Sequence, residues 1–401
     1  MSEWEFVSYS SLASNEKSSF SMGPFGSKIT KENYVNSGVP VIRGINLARG
    51  IFVDDDFVFV TAEKANEISP ANVKPGDLIF THRGTIGQVS MVPRIPRFDR
   101  YVIGSSQVKT RLDEKKAIPE FYYYWFQSPK GQHSILAHAS TVGVPGISTP
   151  LTSIRNLKVP HPTLSEQRSV VEVLGSLDNK IAINEHIAAT ADELIRVLYI
   201  AAQRDEGAQE APLLQALQVT FGAPFASSEF TEEGTGRPLI RIRDLKTYRP
   251  QVWTTERLEK ELVVAPGEVV AGMDAEFRPS FWLGAPALLN QRVLHAKPRV
   301  GGGPALAREA LRQPLAKVEN YKTGTTVAHL NKSDLSALTV QIPSEAATAT
   351  FESAAEPLRQ RLVAAAGESR TLATLRDTLL PQLMSGRLRV KDAEKIVEDH
   401  T

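Results

Sequence analysis

The chain of 401 residues has no cysteine. Disulfides, thiolate metal sites and cysteine nucleophiles are thereby excluded. It also lacks any run near the roughly 18 apolar residues that a membrane span needs. Its first residues, Met1-Ser-Glu-Trp-Glu5, place acids where a secretory leader carries bases. These features predict a cytoplasmic protein without membrane contact. Nor is there a strong charge of either sign, since the net charge is +1, which argues against a binder of polyanions that relies on bulk charge. The distribution is uneven. Residues 1–162 carry 18 Lys/Arg against 14 Asp/Glu, and residues 212–343 carry 16 against 13. The positive excess therefore falls in two segments, although ordinary scatter in small counts would give the same.

Catalytic motifs are missing as well. The sequence holds no Gly-x-x-x-x-Gly-Lys phosphate loop and no Gly-x-Ser-x-Gly nucleophile elbow. It holds no Asp/Asn-Pro-Pro-aromatic stretch of the kind amino-methyltransferases use. His133 and His138 lie five apart, off a common helical face, so they do not form a metal pair. Gly301-Gly-Gly-Pro304 looks like a phosphate cradle, but without a strand-to-helix context it reads as a flexible loop.

What the chain does have is a repeat. Pro40-Val-Ile-Arg43-Gly-Ile-Asn46-Leu47 returns as Pro238-Leu-Ile-Arg241-Ile-Arg-Asp244-Leu245, shifted by 198. Phe20–Ser27 returns as Phe221–Ser227, and Ile154–Pro162 returns as Leu335–Pro343 at a shift of 181. Such duplication implies two similar folded halves. In the first, Val39-Pro-Val-Ile42, Phe57-Val-Phe-Val60 and Asp77-Leu-Ile-Phe80 read as strands. Phe121-Tyr-Tyr-Tyr-Trp-Phe126 after Pro119-Glu120 reads as a short helix buried in the core, with base stacking the less favoured role.

A long amphipathic segment follows each half. Thr163-Leu-Ser-Glu166 is a capping box. From there Val170, Leu174, Leu177, Ile181, Asn184, Ala188, Ala191, Ile195 and Leu198 keep a 4–3 spacing, the seam of a coiled coil. At 1.5 Å per residue, about 40 residues make a rod about 60 Å long. A second seam runs through Phe351, Ala355, Leu358, Leu362, Ala365, Ser369, Leu372, Leu375 or Arg376, Leu379 and Leu383, with Pro381 set to kink or end it and Gly386 to cap it. Neither seam is stable exposed, so the two are expected to pair antiparallel; pairing between two chains is the alternative. Asn184 would set register at some cost in stability. The helix-pairing residues are thus Leu174, Leu177, Ile181, Asn184, Leu358, Leu362, Leu372 and Leu379. The expected fold is mixed α/β: a first globular domain (1–162), a long helix (163–205), a second, similar domain (206–343), a second long helix (344–389) and a charged, frayed tail (390–401). Gln203–Pro212 reads as a polar, helix-breaking linker.

Gly23-Pro-Phe-Gly-Ser27, Gly38-Val-Pro-Val-Ile-Arg43 and Pro75-Gly-Asp77, their echoes Gly236-Arg-Pro-Leu-Ile-Arg241 and Pro266-Gly-Glu268, and Val159-Pro-His-Pro-Thr-Leu-Ser-Glu166-Gln167-Arg168 together resemble the specificity subunit of type I restriction–modification systems. The resemblance covers essentially the whole chain. It departs at Ser344-Glu-Ala-Ala347, which lacks the Glu-Gln pair. The resemblance implies that each half reads one part of a bipartite asymmetric double-stranded DNA target while the helices fix the gap. It implies two methyltransferase (M) subunits docked on the chain, and restriction (R) subunits that join them. S-adenosylmethionine, ATP and Mg would then reside on those partners, with no cofactor, metal or catalytic residue on this chain. A specificity chain of a related system with a fused nuclease–methyltransferase partner is the runner-up. A protein-interaction scaffold and a self-sufficient methyltransferase stand further back.

The repeat also sorts candidate DNA contacts. Residues shared by both halves suit scaffold or phosphate positioning, whereas differing loops suit base reading. Arg43 and Arg241 share a slot and are assigned to backbone or phosphate contact, together with Lys28, Lys109, Arg243, Lys246 and Arg292. Gln107 and Gln291 look matched, and either an adenine contact or a shared turn contact would explain them. The loop Thr81–Gly87 differs from Gly272–Ser280, which makes Arg83, Thr85, Asp274, Glu276 and Arg278 base-reading candidates: arginine suits guanine, and carboxylates suit cytosine N4.

Overall fold

The computed structural model describes residues 4–25, 28–140, 143–299, 301–322 and 329–399, and only the backbone of Arg49, Tyr321 and Lys322. Ser27, half of the Ser27–Ser227 match, lies outside the described residues. The chain forms two compact units, residues 1–179 with 373–401, and residues 180–372. Each is mixed α/β. Among the described residues, no helix is long and apolar enough to cross a membrane.

In the first unit, Val39–Ile42 is the inner strand of a four-stranded sheet, where it pairs antiparallel with Val58–Val60 and parallel with Tyr101–Ile103. All four of its residues are buried, as expected for a strand covered on both faces. A second sheet holds Phe20–Met22, Gln107–Thr110, Leu78–Thr81 and Val89–Met91 in that order. The helix Pro119–Gln127 buries Phe121, Tyr122, Tyr124, Trp125 and Phe126, so this aromatic run is core. Phe6–Ser8 zips antiparallel to Lys158–Pro160, which joins the start of the unit to the strand before the first long helix.

The second unit repeats this wiring. Arg237–Ile240 pairs parallel with Ala287–Leu289. Val293–Pro298 lies between Leu217–Phe221 and Val269–Gly272. Gln209–Pro212 pairs with Thr339–Ile342, so the end of the expected linker is a strand that closes the unit. Two further identities are local. The Arg43 and Arg241 amides donate to Asn46 Oδ1 and Asp244 Oδ2, each at 2.9 Å, which starts the same short helical turn. Gly38 (φ +147°) and Gly236 (φ +88°) both bring backbone so near the next strand that a Cβ would lie 2.4 Å from the Val60 carbonyl oxygen or 2.3 Å from that of Thr254. Only glycine fits there.

The two long helices are Leu164–Ala202 and Glu345–Met384. In the first unit Arg376 Nη1 donates to Asp178 Oδ1 at 2.7 Å, beside Leu174, Leu177 and Leu379, all buried. In the second unit Asn184 Nδ2 donates to Glu368 Oε2 at 2.9 Å, and the Tyr199 and Phe351 rings lie 5.7 Å apart. Rising numbers on one helix meet falling numbers on the other, so the pairing is antiparallel within the chain. Leu362 and Leu372 are buried, and Ile181 and Leu358 half-buried. The capping box forms: the Thr163 amide donates to Glu166 Oε2 at 2.9 Å, and the Glu166 amide to Thr163 Oγ1 at 3.3 Å. At the second helix the Ala347 amide donates to Ser344 Oγ at 3.2 Å, with no carboxylate at 347 to return the bond.

Three expectations need correction. The second long helix runs through Pro381 and ends three residues later at Met384, where the Gly386 amide donates to the Leu383 carbonyl. The tail does not fray from 390: Val390–Glu398 is a helix that buries Ala393. Gly301-Gly-Gly303 does connect a strand to a helix, Pro304–Lys322. The Gly303 amide is occupied, however, because it and the Leu306 amide of the following helix both donate to Glu352 Oε1 at 2.8 Å. A carboxylate at a helix N-terminus is favourable electrostatically, and it leaves this loop no phosphate-binding donors at those positions.

Candidate nucleic-acid interface

Five of the base-reading candidates, Arg83, Thr85, Asp274, Glu276 and Arg278, sit on the loop that follows one equivalent strand in each unit, Leu78–Thr81 and Val269–Gly272. The same turn precedes both strands. The Lys74 amide donates to Asp77 Oδ2 at 2.9 Å, and the Ala265 amide to Glu268 Oε2 at 2.6 Å. The frames therefore match and the loops do not.

In the first unit the loop is braced by a neighbouring segment. The Gly84 amide donates to the Pro145 carbonyl and the Ile147 amide to the His82 carbonyl, each at 2.9 Å, around a backbone bridge between Arg83 and Gly146. His82 is buried with Nε2 3.1 Å from the Ser105 carbonyl oxygen. Burial holds its imidazole below the usual histidine range. Arg83 and Thr85 remain exposed, and Arg83 makes no ion pair among the described residues. Lys28 is exposed as well.

Two residues of the expected set are removed by burial. Gln107 is 2% exposed. With its amide oriented to satisfy both neighbours, it donates to the Gly104 carbonyl at 3.2 Å and accepts from the Gly44 amide at 3.3 Å. It is a turn contact, unavailable to adenine. Its match to Gln291 also fails by two residues: Gln107 lies opposite Thr81, and the residue opposite Gly272 is Val293. Gln291 itself is exposed. Lys109 is 3% exposed, and its Nζ donates to the Asn72 carbonyl. Burial pushes its pKa down to about 8, so it points into the fold and away from phosphate. Alternation hid this, because a lysine in a strand looks like a surface residue until both faces are covered. Arg43 is half-buried and donates to the Asp56 carbonyl at 2.9 Å. Arg241 lies 6.0 Å from the Phe230 ring centroid.

The second unit gathers five candidates in one place. A cleft of about 870 Å³ lies between the turn Ile242–Lys246 and the loop Gly272–Ser280, and Arg243, Lys246, Asp274, Glu276 and Arg278 line it. The loop is fixed at several points. Phe277 is 1% exposed and its amide donates to Glu319 Oε2 at 2.9 Å. Pro279 disfavours helical backbone at the preceding Arg278, and Ala275 holds φ at +63°, an uncommon backbone state without glycine. The acids are already engaged. Lys246 Nζ donates to Glu276 Oε1 at 2.9 Å, which holds the Glu276 carboxyl below its usual range. Asp274 Oδ1 lies 2.6 Å from His329 Nδ1 and 3.7 Å from Arg292 Nη1. Arg243 and Arg278 are exposed and form no ion pair among the described residues.

Residues 1–192 match the family described as Type I restriction modification DNA specificity domain. The chain is 28% identical over 181 residues to the type I restriction enzyme EcoBI specificity subunit of Escherichia coli, a match spanning 45% of this chain and 34% of that one. It is 21% identical over 403 residues to the MjaIX specificity subunit of Methanocaldococcus jannaschii, covering 90% and 89% of the two chains. In fold it is similar to the crystal structure of a type I restriction–modification S subunit from M. genitalium, with TM-score 0.61 at 15% identity over 95% of this chain and 96% of that one.

Proposed function

We propose that this chain, similar over residues 1–192 to the type I DNA specificity domain and over most of its length to a type I specificity subunit, is a non-catalytic DNA-recognition subunit whose two units each read one half of a bipartite, asymmetric target. The observation that carries the reading is duplication with divergence. Both units share strand pairing, turn and capping hydrogen bonds, while the loops after the equivalent strands present different exposed side chains. Two different half-sites require that combination: a common frame and different readers.

Two M subunits and, in a restricting complex, R subunits would supply S-adenosylmethionine, ATP and Mg chemistry. The first long helix offers a surface to the M subunits: in the second unit Ile183, Leu194 and Val197 are 58%, 46% and 51% exposed, an apolar stripe at helical spacing beside the packed seam. Methylation-sensitive sequencing of DNA from cells that express the chain with its cognate methyltransferase tests this. The expected result is a split, asymmetric methylated adenine motif. A short continuous motif, or methyl transfer by the isolated chain, would overturn it.

A further inference from the structure

We infer that the cleft of the second unit takes the major-groove edge of a guanine through Arg278, and that Asp274 and Glu276 act as internal counter-ions rather than base readers. The inference rests on the DNA-reading function proposed above and assigns the ligand of one half-site.

Three observations converge. The first is charge. Of the groups lining the cleft, Lys246 and Glu276 neutralise each other at 2.9 Å, and Asp274 is engaged by His329 and Arg292. With both acids engaged, Arg243 and Arg278 are the lining cations that form no ion pair among the described residues, and each is free to meet an acceptor of a ligand. A guanine edge is uncharged and presents two acceptors, O6 and N7, which match the arginine fork.

The second observation is rigidity. Arg278 stands between Phe277, whose ring is buried and whose amide is tied to Glu319, and Pro279. A loop already held in this way loses little further backbone freedom when its side chain binds. The third is placement in the repeat. Arg243 shares the cleft but stands on the helical turn common to both units, where Ile45 is its counterpart at the 198 shift. Arg278 stands on the loop that the first unit does not share. A contact that distinguishes the two half-sites belongs on the unshared loop, and Arg243 is left to position the backbone.

The full chain, co-expressed with its methyltransferase partner, is tested against a randomised duplex library, followed by salt titration on the selected motif. Arg278→Ala and Arg278→Lys should each lower the preference for guanine at one position of one half-site by about tenfold or more, with the other half-site and the salt slope unchanged. The lysine variant keeps the charge and loses the fork, so it separates the two roles. Retained preference in Arg278→Lys with uniformly weaker binding by Arg278→Ala would make this a phosphate contact and overturn the assignment. Glu276→Gln should release Lys246, raise affinity for all sequences and steepen the salt slope by about one contact. Loss of a cytosine preference in that variant would instead identify Glu276 as a reader. An intact split motif in Arg278→Ala, guanine included, overturns this assignment alone. Absence of any split motif in the unmodified complex overturns the parent function with it.

Discussion

The turn before the loop-bearing strand is the same in both units, yet the charges around it differ. In the first unit Asp77 is 1% exposed and accepts two hydrogen bonds from Arg111, at 2.8 and 2.6 Å, besides the turn amide. In the second, Glu268 is 39% exposed and faces His295 Nε2 at 3.4 Å. Opposite Ile79 stands the buried Lys109, and opposite Val270 the buried His295. The frame therefore demands only an acceptor for one amide; how its charge is balanced has been free to diverge. The same holds where helices are capped. In the first unit Gln167, fully buried, accepts from the Ile118 amide at 2.8 Å and donates to the Pro162 carbonyl at 2.9 Å. In the second, Glu352 does the accepting from a different helical position. The repeat preserves backbone geometry and lets side-chain chemistry drift.

The largest effect expected from this contrast lies at the turn acids. Asp77→Ala removes the buried partner of Arg111 and leaves it Glu16 alone, at 2.6 Å, and should destabilise the protein by about 2–3 kcal/mol, whereas Glu268→Ala, at a more exposed site, should cost about 1 kcal/mol or less. Chemical denaturation measures both, and equal losses would mean that the two networks are interchangeable.

A smaller effect is expected at the seam. Asn184 and Lys180 share Glu368, at 2.9 and 3.2 Å. Asn184→Leu should raise stability by about 1 kcal/mol and weaken the register of the helix pair. Because the chain has no cysteine, one engineered cysteine on each long helix reports their separation by spin labelling. A broadened distance distribution is expected, and an unchanged narrow one would remove Asn184 from register control.

The smallest effect concerns pH. Lys109 has its folded pKa near 8, below the ordinary 10.5, because burial penalises its charge. The unfolded chain then holds this proton more tightly, so stability should rise as pH climbs from about 8 towards 10.5. Lys109→Met should flatten that part of the profile. An identical slope in both proteins would mean that Lys109 carries its charge without penalty.

Much of this was legible in the residues. The duplicated motifs located both frames, and 4–3 spacing located Val170, Leu174 and Leu177 on one helix face and Ala355, Leu362 and Leu372 on another. Such patterns are local, since a helix repeats its face every 3.6 residues. Errors fell where a residue's surroundings come from distant sequence. Gln107 and Lys109 look like surface readers until strands from residues 20–22 and 78–81 flank theirs. The Gly301–Pro304 loop looks free until Glu352 arrives from another helix.

The sequence by itself thus determined that there are two related α/β halves, that each leads into a long amphipathic helix, and that catalysis by familiar nucleophile, thiolate or phosphate-loop motifs is missing. Periodicity, turn residues and motif composition are properties of neighbours along the chain, so they survive without coordinates. Only the tertiary structure decided which polar side chains are spent internally and which are left for a ligand. It buried Gln107 and Lys109, paired Glu276 with Lys246 and Asp274 with His329, and left Arg83 and Arg278 exposed. Whether a charge is available depends on the partners that folding brings within hydrogen-bonding reach, and those partners lie tens of residues away.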